Sequence, residues 1–166
     1  DVHDRATKTM TAEEQAESAA HRMVPGDPKS NLAIPGEALW KTCLNMSSRI
    51  KFGKRSAAPF YASGFAILEP SIDLGITKYD ILSKACRVPP RTGALVVKHR
   101  PQINKWKASF HVNVDTRVFN LTNPNDTRKE VQKTIEDSGV FIGLLDNSPR
   151  LKGPHGKFKV TKLVEV

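Results

Sequence analysis

Residues 138–160, SGVFIGLLDNSPRLKGPHGKFKV, constrain this chain more than any other stretch. Four glycines (Gly139, Gly143, Gly153, Gly156) and two prolines (Pro149, Pro154) break regular structure through its middle, between a predicted helix and a predicted strand. Arg150, Lys152, His155, Lys157 and Lys159 load the same loop with positive charge. Glycine adopts φ > 0 and carries no side chain to hold a ligand away, so such a loop can bring backbone amides and cations close to a polyanion. The plain alternative is a surface loop that needs its glycines only for turns. Loops longer than about 12 residues are more often functional or disordered than idle.

The charge balance points the same way. The chain has 166 residues and a formal charge of +9, with enough apolar content, 39%, for a core. Residues 1–37 hold seven acids against four bases, so the rest carries +12. A compact body with that excess attracts phosphate, and nucleic acid is the commonest soluble partner for it. Cys43 and Cys86 have no C-x-x-C spacing, and Cys43 falls on the apolar side of a helix as a small hydrophobe. Together with the lack of a membrane-length apolar run or a signal peptide, this predicts a reduced, cytoplasmic protein of a bacterial or phage-infected cell, with no membrane partner. The chain does not begin with methionine, which suggests a processed product or part of something longer.

In order, residues 1–10 read as a mobile end, and Thr11 with Glu14 forms a capping box for a short surface helix over 12–23. A turn-rich break at 24–31 closes a polar N-terminal extension, 1–31, ahead of a main domain, 32–166. Ile34, Pro35 and Gly36 lead into the first long helix, with Leu39, Trp40, Cys43, Leu44 and Ile50 on one stripe. Its basic tail, Arg49, Lys51, Lys54 and Arg55 around Gly53, complements a helix end as well as it would a phosphate. Residues 60–68 read as a strand and 69–91 as irregular, with a short helix at 79–85. Residues 93–99 predict a central strand, antiparallel through RPQINKW to 107–115, which alternates Ala108, Phe110, Val112 and Val114 against polar residues. Thr127 and Glu130 form a second capping box for a helix to about 138, with Val131 and Ile135 inward and Gly139 as its C-terminal cap. A last strand over 157–164 places Phe158, Val160 and Val164 on one side.

This order predicts an α+β fold, ferredoxin-like (RRM-like): an antiparallel sheet with both helices on one face. Its first strand is missing here, and lies upstream of Asp1 or comes from a neighbouring subunit. The Ile34-Pro35-Gly36 lead-in and the loop glycines Gly139, Gly143, Gly153 and Gly156 resemble the RAMP superfamily, the RNA-binding backbone and processing subunits of CRISPR effector complexes. The loop, and Arg100-Pro101 with Trp106, also resemble little-characterised phage and prophage proteins. The resemblance spans about residues 32–166, and it departs where Leu144 and Leu145 replace the second glycine usual in the RAMP loop. It implies an RRM-like sheet, single-stranded nucleic acid as ligand, and protomers that line up along it.

Three basic stretches carry the binding expectation: Arg49, Lys51, Lys54 and Arg55; Arg100, Lys105, Trp106 and Lys107; and Arg150, Lys152, His155 and Lys157. Cations neutralise phosphates and release counterions, while an exposed aromatic stacks on an unpaired base. Trp106 is the candidate stacker, against its reading as a core lid; Phe158 and Trp40 read as core. The partners expected are single-stranded RNA or DNA, with assembly as a homo-oligomer or within a larger complex. One rival class is a metal-independent endoribonuclease that uses His99, His111 and His155. Asp115, Asp126 and Asp146 can gather a magnesium ion but sit where turns and caps expect aspartate. The chain has no Walker motif, nucleophile elbow or H-E-x-x-H, so neither cofactor nor metal nor catalytic residue is assigned. A second rival is a phage or assembly protein that oligomerises by adding strands at an open sheet edge.

Overall fold

A computed structural model describes residues 10–88, 93–119, 126–145 and 148–165. The expectations for residues 1–9, for 89–91 at the end of the stretch read as irregular, and for Asp146 lie outside the described residues. The fold is α+β. In chain order the elements are α1 (Ala12–Ala19), β1 (Ala33–Pro35), α2 (Gly36–Ser47), β2 (Lys51–Phe52), β3 (Arg55–Ser56), α3 (Ala58–Gly64), β4 (Phe65–Ile67) and β5 (Ser71–Asp73). They continue with β6 (Asp80–Val88), β7 (Ala94–Gln102), β8 (Val112–Val114), α4 (Thr116–Phe119), α5 (Thr127–Asp137), a π-turn (Ser138–Ile142) and a 3₁₀ turn (Pro149–Leu151). Among the described residues the strands form four two-stranded sheets, β1 with β5, β2 with β3, β4 with β8, and β6 with β7. No helix of these residues is long and apolar enough to cross a membrane. The chain divides into two compact units, one of Asp1–Ala33 with Asp73–Ala108 and one of Ile34–Ile72 with Ser109–Val166.

The first unit is built on an N-terminal helix and a long hairpin. The Thr11–Glu14 capping box is present in both directions: Glu14 N donates to the Thr11 hydroxyl (3.2 Å) and Thr11 N to the Glu14 carboxylate (2.8 Å). The helix stops at Ala19 rather than near 23 because the next residues turn into extended pairing, with Arg22 bridged to Leu32 and Met23 N donating to Asn31 O. Arg22 is buried and its guanidinium does the work of a core residue, donating to Glu17 (2.5 and 2.8 Å), Ser30 O (2.7 Å) and Thr77 O (3.2 Å). Tyr79 completes the cluster, its hydroxyl donating to Glu17 at 2.7 Å while Arg22 lies 5.8 Å from its ring centroid. Helix α1 packs on the hairpin and buries Ala16.

That hairpin corrects two expectations. Residues 79–85 form no helix: Asp80–Val88 is a strand, paired antiparallel with Ala94–Gln102 from Asp80↔Gln102 to Val88↔Ala94. Nine ladder pairs override a weak local helix preference. Residues 93–99 do not make a central strand either. Strand β7 pairs only with β6 among the described residues, and Leu95 and Val97 stand 66% and 54% exposed.

The second unit carries the larger apolar core. Leu39, Cys43 and Met46 of α2 are buried, with Tyr61 and Phe65, Phe119, Val131 and Ile135, and Ile142 and Leu144. The expected stripe is thus partly present, whereas Trp40, Leu44 and Ile50 are only half-buried and Trp40 Nε1 donates to Phe65 O (3.0 Å). Gly36 opens α2 because nothing larger fits: a Cβ there would lie 1.9 Å from Glu69 O. Residues 60–64 are helical, not the start of a strand, for Pro59 suits a first helical turn and puts Tyr61 into the core. Only Phe65–Ile67 is strand, and its partner is Val112–Val114 (Phe65↔Val114, Ile67↔Val112), so 107–115 pairs here and not with 93–99. The alternation of 107–114 still shows in exposure, with Ala108, Phe110, Val112 and Val114 less exposed than their neighbours. Helix α5 begins at Thr127 itself, with Asp126 at the cap position and no side-chain capping bond, and it buries Val131 and Ile135. Residues 157–164 form no strand: Phe158 is half-buried and Val164 exposed.

Candidate nucleic-acid interface

The glycine loop folds back on its own backbone. The π-turn continues α5, closed by Gly143 N donating to Ser138 O at 2.8 Å, and the chain then returns through the 3₁₀ turn. Leu144 N donates to Gly156 O (2.8 Å) and Phe158 N to Gly139 O (3.2 Å), tying the two limbs together. A Cβ on Gly139 would meet Phe158 O at 2.1 Å, and one on Gly156 would meet Leu144 O at 2.0 Å. These two glycines are therefore required for backbone to meet backbone within the loop. The ligand-approach argument applied to them from sequence is replaced by a packing one.

What the loop offers to solvent is charge. Arg150, Lys152 and Lys157 are exposed and His155 is half-buried, and no acidic residue occurs from Ser148 to Leu163. Lys152 has a left-handed backbone (φ 62°), which ends the 3₁₀ turn. The basic segment after α2 is a tight hairpin and not a helix tail: Lys51 pairs with Ser56 and Phe52 with Arg55 around Gly53 (φ 61°). Phe52 anchors it against Phe60 (5.3 Å between centroids) and Phe119 (6.3 Å), leaving Arg49, Lys51, Lys54 and Arg55 exposed. Both basic groups belong to the second unit.

Arg100, Lys105, Trp106 and Lys107 belong to the first unit. The three cations are exposed and Trp106 is half-buried. Arg100 stands opposite Leu82 on the ribbon, and the next pair on the same face is Lys84 opposite Lys98. The structure therefore distributes the twelve expected site residues over two units, four on one and eight on the other.

Sequence reading missed three features of the second unit. Phe141 projects from the π-turn, 51% exposed, and is an aromatic available for stacking. Lys41 and Asn45 lie one turn apart on the outer side of α2 and line a groove of about 190 Å³ with Arg150 and the loop backbone. Their i, i+4 spacing was visible, but nothing local connects them to a loop a hundred residues away. A larger groove, about 330 Å³, is lined by Glu37, Glu69 and Trp40, and its carboxylates disfavour a phosphate.

Two of the three histidines expected for catalysis have local partners. The His99 ring is bonded to the Ser83 hydroxyl (2.7 Å), and the His111 ring to Glu69 (2.5 Å). Burial works to raise the Glu69 carboxyl, but the bonds from His111 backbone and ring outweigh it and hold the group below its usual value. Asp115 is held low chiefly by the Arg117 guanidinium. Among the described residues no three His, Cys, Asp or Glu side chains cluster as metal ligands. Burial pushes the Cys43 thiol up to about 12, which leaves it protonated and unreactive. Comparison with family models, with curated proteins and with solved structures finds no match to this chain.

Proposed function

We propose that this protein binds single-stranded nucleic acid without cleaving it, assembling as repeated protomers along the strand. The observation that carries the reading is the acid-free run from Ser148 to Leu163, whose exposed cations sit on a loop closed by its own backbone. A preformed cationic loop loses little conformational entropy on meeting a phosphate chain. Phe141 in the second unit and Trp106 in the first supply aromatic surface for unpaired bases. The ferredoxin-like sheet of the RAMP-like resemblance is part of this proposal, yet the reading does not depend on it. Each unit brings its own basic surface, Arg100, Lys105 and Lys107 on one and Arg150, Lys152 and Lys157 on the other.

Fluorescence anisotropy with labelled single-stranded DNA, single-stranded RNA and duplex, each at two salt concentrations and followed on a gel, tests it. Tight, salt-sensitive binding of a single strand without cleavage is expected. Each phosphate contact contributes about 0.7 to the salt slope on a single strand, so the R150A/K152A variant is expected to bind all sequences more weakly with a slope shallower by about one unit or somewhat more. An unchanged slope removes the loop from the site.

One observation favours a second reading, that of an assembly protein. Strands β6 and β7 have no third strand among the described residues, so their outer edges and exposed aliphatics are open to a neighbour's strand. Size-exclusion chromatography separates the two: complete assembly without oligonucleotide supports this reading, and assembly that grows with oligonucleotide length supports binding.

A further inference from the structure

The groove between α2 and the glycine loop is more selective than a charged surface. The Thr42 hydroxyl ties its floor together, within 2.8 Å of Ala38 O and 3.2 Å of Gly143 O. Leu145 and Leu151, 56% and 62% exposed, form apolar jaws. Asn45, Lys41 and Arg150 stand around them. Lys41 is paired with Glu37, whereas the Asn45 amide and the Arg150 guanidinium have no partner among the described residues. Leu145 is held at φ 58°, a left-handed conformation that leucine adopts only under strain.

A phosphate alone matches the cations and leaves two leucines in water. An apolar peptide matches the leucines and leaves an arginine and an amide unsatisfied. A nucleotide meets both demands, since its base is flat and apolar on its faces, has donors and acceptors on its edge, and carries a phosphate within reach. At about 190 Å³ the groove is smaller than the ~300–1,000 Å³ typical of sites for larger ligands, which limits it to one base. We infer that this groove holds one unstacked nucleotide of the bound strand, with the base between Leu145 and Leu151, its edge on Asn45 and its phosphate on Arg150. The inference rests on the single-strand reading above and gives that reading a cause, because a base in a duplex cannot enter without leaving its stack.

The test compares an oligothymidylate with a strand of equal length made of abasic units, so that phosphates are kept and bases removed. Anisotropy with the full chain is expected to show the thymidylate binding about tenfold tighter, as contact with a base face provides. The N45A/L151A variant is expected to narrow that preference severalfold with the salt slope unchanged, the remainder being stacking on Phe141 and Trp106. Arg150→Ala is expected to weaken both strands alike and to make the slope shallower. Equal binding of the two strands by the unaltered protein overturns the inference and leaves the cationic reading standing, and this comparison needs no variant to fold. A preference undiminished in N45A/L151A also overturns it. Binding of neither strand overturns the single-strand reading itself, and the inference with it.

Discussion

The two units are held together by different physics. In the second, Tyr61 contacts Phe65 (5.3 Å between centroids) and Phe119 (5.2 Å, edge-on), over a floor of Leu39, Cys43 and Ile135. The first has few large buried apolar side chains, and at its centre is Arg22, 5% exposed, surrounded by Glu17, Tyr79 and two backbone carbonyls. An apolar core tolerates changes of shape poorly but is indifferent to pH, whereas a polar cluster depends on every partner remaining in its charge state. The candidate groove lies in the unit with the apolar core, and the long exposed ribbon lies in the one held by a guanidinium.

The largest effect expected is from Gly156→Ala. The new Cβ would lie 2.0 Å from Leu144 O at a residue with φ 72°. Left-handed strain of about 1–2 kcal/mol adds to overpacking of about 1–3 kcal/mol, so a loss near 3 kcal/mol or more is expected. Hydrogen exchange read by segment is the measurement: protection is expected to fall in 34–72 and 109–165 and to hold in 10–33 and 73–108. An equal fall in both would show that the two units unfold as one.

Next in size is Glu17→Gln, which leaves the buried Arg22 cation facing a neutral amide. Stranding a buried charge costs more than a bond, but Glu17 is itself 36% exposed and solvent screens part of the pair. About 1–2 kcal/mol is expected, confined to the first unit. The pH dependence has a definite sign. The Arg22 hydrogen bond, ahead of the opposing cost of burial, holds the Glu17 carboxyl below its usual 4.5. The unfolded chain therefore takes up the proton first on acidification, so this stability is present above pH 4.5 and is lost as pH falls through the lowered value. Acid titration followed by exchange is expected to loosen the first unit in that window, and Glu17→Gln is expected to abolish that component.

The same contrast explains what could be read from the sequence. The Thr11–Glu14 box and the Ile34-Pro35-Gly36 lead-in to α2 were legible from a few neighbouring letters, whereas what requires glycine at 36 is Glu69 O and at 139 is Phe158 O, both distant in sequence. FYASGFAIL was not legible, because a short apolar run fits strand and helix alike; the deciding fact is that Tyr61 reaches Thr134, 73 residues on. The ribbon was misread for a related reason, since the partner of 93–99 lay upstream and not downstream. Eight of the twelve site residues share a unit, but Lys41 and Asn45 gain meaning only once Thr42 meets Gly143, 101 residues away.

A smaller effect is expected from Tyr61→Phe. Its hydroxyl donates to Thr134 Oγ1 at 2.7 Å, deep in the second unit, and Thr134 keeps its own bond to Glu130 O when the hydroxyl is removed. No buried donor is stranded, so the loss is that of one net hydrogen bond, about 1 kcal/mol, read as a shift in denaturant midpoint at constant slope. A loss of several kcal/mol would mean that the second unit also leans on a polar network, as the first does.

The smallest effect on stability is expected from the pair L95T and V97T on the ribbon. Threonine keeps the β-branched shape a strand favours at 97 and introduces it at 95, and both positions are more than half exposed, so folding is expected to change by no more than about 0.5 kcal/mol. Their value lies in what else changes. Leu95 and Val97 share one face of the ribbon with Ile81 and Ala85, and together they present apolar surface to solvent. If protomers add strands or pack ribbons, sedimentation at rising protein concentration is expected to show weaker association in the variant at an unchanged melting temperature. If association is identical, that surface plays no part in assembly, and the ribbon's role reduces to its cations, Lys84, Arg87, Lys98 and Arg100, on a unit that Arg22 holds in place.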